Sequence, residues 1–187
     1  MGKYFIIVDM QNDFTTGALK NDAAVAIIPR IVEKAKELRA KGYTIIATRD
    51  THTNDYMETQ EGKNLPVPHC IKETNGWEVV DEIKPFVDMY IDKPNFGFKG
   101  WFNVIDELQK ANGKKVSDGQ IEYNPNPEDI QMSGTCTAIC VASNAIILKA
   151  TYPETPITVY KDLCACLTPE THEAALTVMK TQQVNIV

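Results

Sequence analysis

The amino-acid sequence predicts an α/β fold: a three-layer, Rossmann-like arrangement with a mostly parallel six-stranded sheet and helices on both faces. Three observations lead there. Short β-branched runs alternate with longer amphipathic stretches. The strand-like runs are apolar almost throughout, as strands covered on both faces are. The chain has 187 residues, 43% hydrophobic and 24% charged, which suits one domain, taken as residues 1–187, with a sizeable core.

The elements follow in order. Tyr4–Val8 is the first strand. Val25–Ala40 carries Val25, Ile28, Ile31, Val32, Ala35 and Leu38 at helical spacing, and Gly42 stops it. Tyr43–Thr48 is the second strand, Trp77–Phe86 a short helix, and Asp88–Ile91 the third strand. Trp101–Lys110 is a helix, and Lys114–Asp129, rich in Asn, Pro and Gly, is an exposed loop. Ile130–Ser133, Ile157–Tyr160 and Val184–Val187 complete the strands. Ala138–Ala150 is a strongly apolar helix. Pro169–Gln182 is the last helix, with Thr168 as N-cap and Pro at its first position.

Composition narrows the function. The net charge of −6, from 25 acidic and 19 basic residues, argues against nucleic-acid or anionic-membrane partners, which need a basic surface. No apolar run approaches the ~20 residues that span a bilayer. The run Tyr4–Val8 is too short for a signal-peptide core. Five cysteines, an odd number, argue against a disulfide framework, so the expected compartment is the cytoplasm.

In parallel α/β sheets, ligands bind beyond the C-terminal ends of the strands. Four predicted strand ends deliver reactive side chains there: Asp9, Asp50 with His52, Lys93, and the turn Gly134–Cys140. Cys140 sits near a helix start, where partial positive charge lowers a thiol pKa and free N–H groups can hold an oxyanion. A buried structural cysteine is the equal alternative. Asp9 suits a general base toward a thiol, or an Asx turn opening the next loop. Lys93 could hold Asp9 ionised and stabilise a thiolate, or be a solvated surface lysine. Asp50 and His52 share one face of an extended segment, and Glu61 and His69 follow from the loop beyond. Two imidazoles and two carboxylates suit Zn²⁺, Mn²⁺ or Fe²⁺. A polar loop with incidental histidines is the alternative. Cys164 and Cys166 form only a C-x-C pair, a weak metal signal. His172, Trp77 and Trp101 read as packing residues.

Taken together, the chain resembles the isochorismatase-like cysteine hydrolase superfamily, and within it the nicotinamidase/pyrazinamidase branch. The resemblance rests on Ile7-Val8-Asp9-Met10-Gln11-Asn12-Asp13-Phe14, on Lys93 in Asp92-Lys93-Pro94, and on Gly134-Thr135-Cys136-Thr137-Ala138-Ile139-Cys140-Val141. It implies that Asp9, Lys93 and Cys140 are a catalytic triad. It also implies a non-proline cis peptide between Thr135 and Cys136, aiming the N–H groups of Cys136 and Cys140 at the oxyanion. The metal ligands would be Asp50, His52, His69 and a third-position ligand, Glu61 first and Glu58 second. One divalent ion, zinc first and manganese or iron as alternatives, would hold the pyridine nitrogen of the substrate. Phe14 would form part of the ring-binding wall. Leu65 stands where the family has an aromatic residue, the proline pair is interrupted as Pro66-Val67-Pro68, and Ala138 replaces a common acid. A less aromatic wall offers less stacking to a flat ring.

The expectation is therefore hydrolysis of a small carboxamide, nicotinamide to nicotinate and ammonia, by a homo-oligomer (dimer or tetramer) of NAD salvage. Two alternatives stand beside it. One is a cysteine amidase of the same superfamily acting on a ureido or carbamoyl substrate. The other is a non-catalytic nucleotide-binding module using the Ser133-Gly134-Thr135 turn, although no G-x-G-x-x-G or P-loop pattern accompanies it.

Overall fold

The computed structural model describes residues 1–116 and 120–187. In chain order its elements are β1 (Lys3–Val8), α1 (Asn12–Thr15), α2 (Asp22–Ala40), β2 (Tyr43–Asp50), α3 (Gln60–Asn64), β3 (Met89–Lys93) and α4 (Trp101–Ala111). Then come β4 (Lys114–Lys115), β5 (Ile121–Glu122), β6 (Asp129–Thr135), a π-turn (Thr137–Val141), α5 (Ala142–Thr151), β7 (Ile157–Ala165), α6 (Pro169–Thr181) and β8 (Asn185–Ile186). The main sheet has six strands in the order β3-β2-β1-β6-β7-β8. Every pairing in it is parallel.

Alternation along β1 builds both faces of the core. Tyr4, Ile6 and Val8 point to one side, where Trp101 and Ile105 of α4, Ala145 and Leu148 of α5, and Leu176 and Met179 of α6 close over them. Phe5 and Ile7 point to the other, onto Ala24, Ile27, Ile31, Ala35 and Leu38 of α2. Each large side chain so buried contributes on the order of 1.5–3 kcal/mol. That burial fixes the three-layer arrangement the patterning predicts.

The strand order reverses between β1 and β6: β2 and β3 step away on one side, β7 and β8 on the other. Ligand sites of open α/β sheets lie at such a switch point. Here the two central strands also converge closely. Gly134 pairs with Val8 and has φ +124°, and a Cβ there would lie 2.1 Å from the Val8 carbonyl oxygen. Only glycine lets β6 run this close to β1 and then turn.

Several boundaries differ from the sequence reading. Trp77–Phe86 is not a helix; a single short turn, Lys84–Phe86, is helical. Pro85 supplies no N–H and disfavours helix before it. The backbone of 78–80 is engaged elsewhere: Glu78 O accepts from Asn12 N at 2.9 Å, and Val80 N donates to Met10 O at 2.9 Å. The apolar helix expected over Ala138–Ala150 is divided into the π-turn and α5. β2, β3 and β6 run on to Asp50, Lys93 and Thr135. The expected loop Lys114–Asp129 holds the β4–β5 antiparallel pair, and Asp129 already belongs to β6. Residues 117–119 of that loop lie outside the described residues. Helix α2 begins earlier than the periodicity indicates because the Asn21 side chain accepts from Ala23 N at 2.9 Å.

Candidate active site

The side chains converge at the C-terminal ends of β1, β2, β3 and β6. Asp9 follows β1 directly, with φ +49°, and is fully buried. Thr48 Oγ1 donates to its Oδ1 at 2.7 Å. Lys93, the last residue of β3, is also fully buried. Its Nζ lies 2.7 Å from Asp9 Oδ2, 3.4 Å from Asp50 Oδ1 and 3.7 Å from Cys140 Sγ. It also donates to Asn95 O at 3.1 Å. The ammonium thus sits among two carboxylates and a thiol.

The turn that carries Cys140 is fixed by its backbone. The Thr135–Cys136 peptide is cis, as the resemblance implies. Ile139 N and Val141 N both donate to Cys136 O, at 3.0 and 3.1 Å. Asn144 Nδ2 donates to Cys140 O at 2.8 Å, while its Oδ1 accepts from Trp101 Nε1 and Phe98 N, each at 2.9 Å. On the other flank, Thr137 Oγ1 donates to Ala165 O at 2.9 Å and meets His172 Nδ1 at 2.9 Å. His172 therefore buttresses this turn from α6, and Trp101 does so from α4.

The second cluster lies on the far side of Lys93. One ligand atom each from Asp50, His52, Glu61 and His69 falls within a 4.8 Å span. His52 Nε2 is 3.0 Å from Asp50 Oδ2 and 3.7 Å from Glu61 Oε1. His69 Nε2 is 3.5 Å from Asp50 Oδ2 and 3.8 Å from Glu61 Oε1. His69 Nδ1 donates to the Val67 carbonyl at 2.8 Å, which turns Nε2 inward. This is the outer hydrogen bond that metal-binding imidazoles normally make. Gln11 holds the cluster's base: its Nε2 donates to Asp50 O at 2.8 Å and its Oε1 accepts from Asp50 N at 2.7 Å. Tyr56 packs against both imidazoles, at ring-centroid distances of 4.7 and 5.0 Å. Two nitrogen and two carboxylate donors at this spacing fit a divalent cation. Glu58 is exposed and stands apart from the set.

Both clusters open into one cavity of about 460 Å³. Asp50, Glu61, His69, Cys136 and Cys140 line its floor, and Phe14, Leu19, Leu65, Phe96, Ile139 and Leu167 form an apolar wall. Phe14 stands 5.5 Å from the His69 ring, centroid to centroid. Phe14 and Leu65 both line this cavity.

The electrostatics correct one expectation. A thiol near a helix start was expected to have a lowered pKa, yet that of Cys140 is raised well above the ordinary thiol value. Burial is the main cause, and the Asp9 charge and a hydrogen bond to Asp9 add to it, against the opposing effect of Lys93. Burial and the Asp9 charge thus favour the protonated thiol at Cys140. Burial also raises Asp9, countered by Lys93. Burial works against the charge on Lys93, but Asp9, Cys140 and Asp50 outweigh it and hold the ammonium protonated. Asp50 is held below the usual carboxylate range: burial opposes this, and hydrogen bonds to His52 and His69 prevail.

Sequence reasoning missed Thr48, Gln11, Asn144 and Asn95. Their roles depend on distant backbone partners, which spacing does not reveal. A polar residue inside an apolar strand, as Thr48 is, was the one available signal.

An open parallel sheet with a buried Asp–Lys–Cys cluster beside a metal-type donor set, at the strand-order switch, defines a class of α/β hydrolases. The chain belongs to the Isochorismatase domain family, whose sequence pattern matches residues 3–187. It is 25% identical over 173 residues to a nicotinamidase of Schizosaccharomyces pombe, covering 79% of this chain and 76% of that one. It resembles the crystal structure of a Pyrococcus horikoshii pyrazinamidase in complex with zinc, at 26% identity and a TM-score of 0.75, over 100% of this chain and 99% of that one. A nicotinamidase/pyrazinamidase structure from Bacillus subtilis shares the fold with a TM-score of 0.79 at 23% identity, over 100% of both chains.

Proposed function

We propose that residues 1–187 act as a single amidohydrolase domain that cleaves a small carboxamide, nicotinamide to nicotinate and ammonia, through a thioester on Cys140. One observation carries this reading. Lys93 Nζ lies 2.7 Å from Asp9 and 3.7 Å from Cys140 Sγ, and Cys140 lines a cavity that also presents Asp50, Glu61 and His69. The nicotinamidase and pyrazinamidase relatives support the choice of substrate.

The steps follow from the geometry. Asp9 accepts the Cys140 proton as sulfur attacks the amide carbon, so the thiolate forms only when it is used. Lys93 offsets the negative charge at each stage. The N–H groups of Cys136 and Cys140 receive the oxyanion. Asp9 then gives the proton to the departing ammonia. A water deprotonated by Asp9 adds to the thioester, the C–S bond breaks, and the acid and the Cys140 thiol are restored. Asp50, His52, Glu61 and His69 would hold a divalent ion, zinc by analogy with the Pyrococcus structure, which when bound would supply Lewis acidity toward the substrate. Phe14 and Leu65 bound the ring. The same reading places the enzyme in NAD salvage in the cytoplasm, as a homo-oligomer. No helix among the described residues is long and apolar enough to cross a membrane.

A ureido or carbamoyl substrate is the second reading, favoured by Leu65, which brings no ring to the wall and is 38% exposed. A nucleotide-binding module fits less well, because Asp50 and Glu61 on the cavity floor oppose a phosphate.

The test is ammonia release from nicotinamide by the purified protein, run beside Cys140→Ala, His52→Ala and a chelated sample. Cys140→Ala should lose turnover by on the order of 10⁴-fold or more with the fold intact. His52→Ala removes one of the four donors and should lower the bound metal content, read by elemental analysis. Turnover of ureido acids but not of nicotinamide would replace the first reading by the second. Substantial turnover by Cys140→Ala would overturn the thioester.

A further inference from the structure

Cys136 and Cys166 form a thiol pair for which the reaction above has no use for either sulfur. β6 and β7 are neighbours, with Gly134 opposite Cys164 and Thr135 opposite Ala165. Cys136 and Cys166 are the residues just past those two strand ends. Their Sγ atoms are 3.2 Å apart. That gap has to close by about 1 Å to reach the S–S length of a disulfide. Cys166 Sγ also meets Thr171 Oγ1 at 3.2 Å. Both cysteines are free thiols in the structure.

Access to the pair runs through Cys136, which is partly exposed and lines the cavity; Cys166 is 8% exposed, next to Leu167 at the cavity mouth. Cys70 and Cys164 are buried away from the cavity, and Cys140 is 5% exposed. Charge separates the two sulfurs. Burial raises the Cys166 thiol, but hydrogen bonds with Thr171 and Cys136 and from the N–H groups of Ala138 and Leu167 outweigh it and leave it lowered. Burial and the contact with Cys166 push Cys136 up to about 11. One acidic sulfur beside a resolving partner is the arrangement of oxidation-sensing cysteines.

We propose that Cys136 and Cys166 are an oxidisable dithiol that closes to an intrachain disulfide on exposure to a peroxide, ahead of Cys140. The Cys166 thiolate attacks one peroxide oxygen, the O–O bond breaks, and Cys166 becomes a sulfenic acid. The Cys136 sulfur then attacks Cys166 sulfur, the S–O bond breaks, water leaves and the S–S bond forms. The two sulfurs together lose two electrons and two protons, and hydrogen peroxide is reduced to two waters. The cross-link would staple the strand end before Cys140 to the end of β7. A thiol reductant reverses it.

The test uses the full chain treated with graded hydrogen peroxide, then denatured, alkylated and digested. The expected result is a Cys136–Cys166 linked peptide, lighter by two hydrogens, and loss of two of the five alkylatable thiols. Both effects should be reversed by dithiothreitol, and Cys140 should still be alkylated. Cys166→Ser and Cys136→Ser, each checked for native folding, should abolish the link. Quantitative alkylation of Cys136 and Cys166 at a dose that already oxidises Cys140 would overturn the proposal. So would a link that joins Cys140 to either of them.

Discussion

At the residue scale, Lys93 does the most with the least freedom. It is fully buried, yet its ammonium contacts Asp9, Asp50 and Cys140. A buried charge of this kind is tolerable only because opposite charges surround it. Leu65 is the opposite case, a residue whose replacement should be gained rather than lost. It lines the cavity wall without a ring. Under the proposed function, Leu65→Phe adds an aromatic contact worth about 0.5–1.5 kcal/mol to a bound pyridine. Steady-state kinetics should then show KM for nicotinamide falling by roughly 2–10-fold. An unchanged KM would place the ring away from that wall. The residues themselves were largely legible through the family motifs: Cys140, Asp50, Glu61 and His69 line one cavity, with Lys93 beside Asp9, Asp50 and Cys140, and His52 beside Asp50. The thiol's proton was not legible. The rule for helix starts ignores burial and a neighbouring carboxylate, and both dominate at Cys140.

At the element scale, the strands carry polar ends that patterning cuts off. Asp50 and Lys93 pair with each other as the final rungs of β2 and β3. Apolar periodicity stops before them, so the reading placed them just past the strands. The missed π-turn has a similar origin. Its apolar residues fit a helix equally well, and only the backbone bonds to Cys136 O distinguish the two. Trp77–Phe86 failed because hydrogen bonds to the segment after β1, far away in sequence, outcompete local helix formation. By contrast the start of α6 was legible, since Thr168 and Pro169 are local signals. Thr168 Oγ1 accepts from Thr171 N at 3.2 Å and completes a capping box. Thr168→Ala should cost about 1 kcal/mol. Urea titration should show a lower midpoint with an unchanged slope.

At the scale of the whole molecule, the buried acids set how stability varies with pH. Burial raises Tyr4 and Tyr152 each to about 12, and Cys164 to about 12. Their folded pKa values lie above those of the unfolded chain, so the unfolded state loses these protons first. Stability from these groups is fully present below about pH 8.5 for the thiol and about pH 10 for the phenols. It is then lost as pH rises through the folded values near 12. Lys93 adds in the same direction, since its raised pKa contributes fully below the unfolded lysine value of about 10.4 and progressively less above it. The urea midpoint should therefore fall steadily above about pH 9. A flat profile from there to pH 11 would mean that these groups are not buried as the structure has them.

The seam between β1 and β6 has a consequence for when the protein becomes chemically competent. Asp9, Asp50 and Lys93 come from the β1-β2-β3 half of the sheet, and Cys140 comes from the β6-β7-β8 half. Val8 meets Gly134 at the point where the halves join, one residue before Asp9. Under the proposed function, a chain with either half alone has a base without a nucleophile or a nucleophile without a base. On that reading the sulfur meets its base only once that seam has formed.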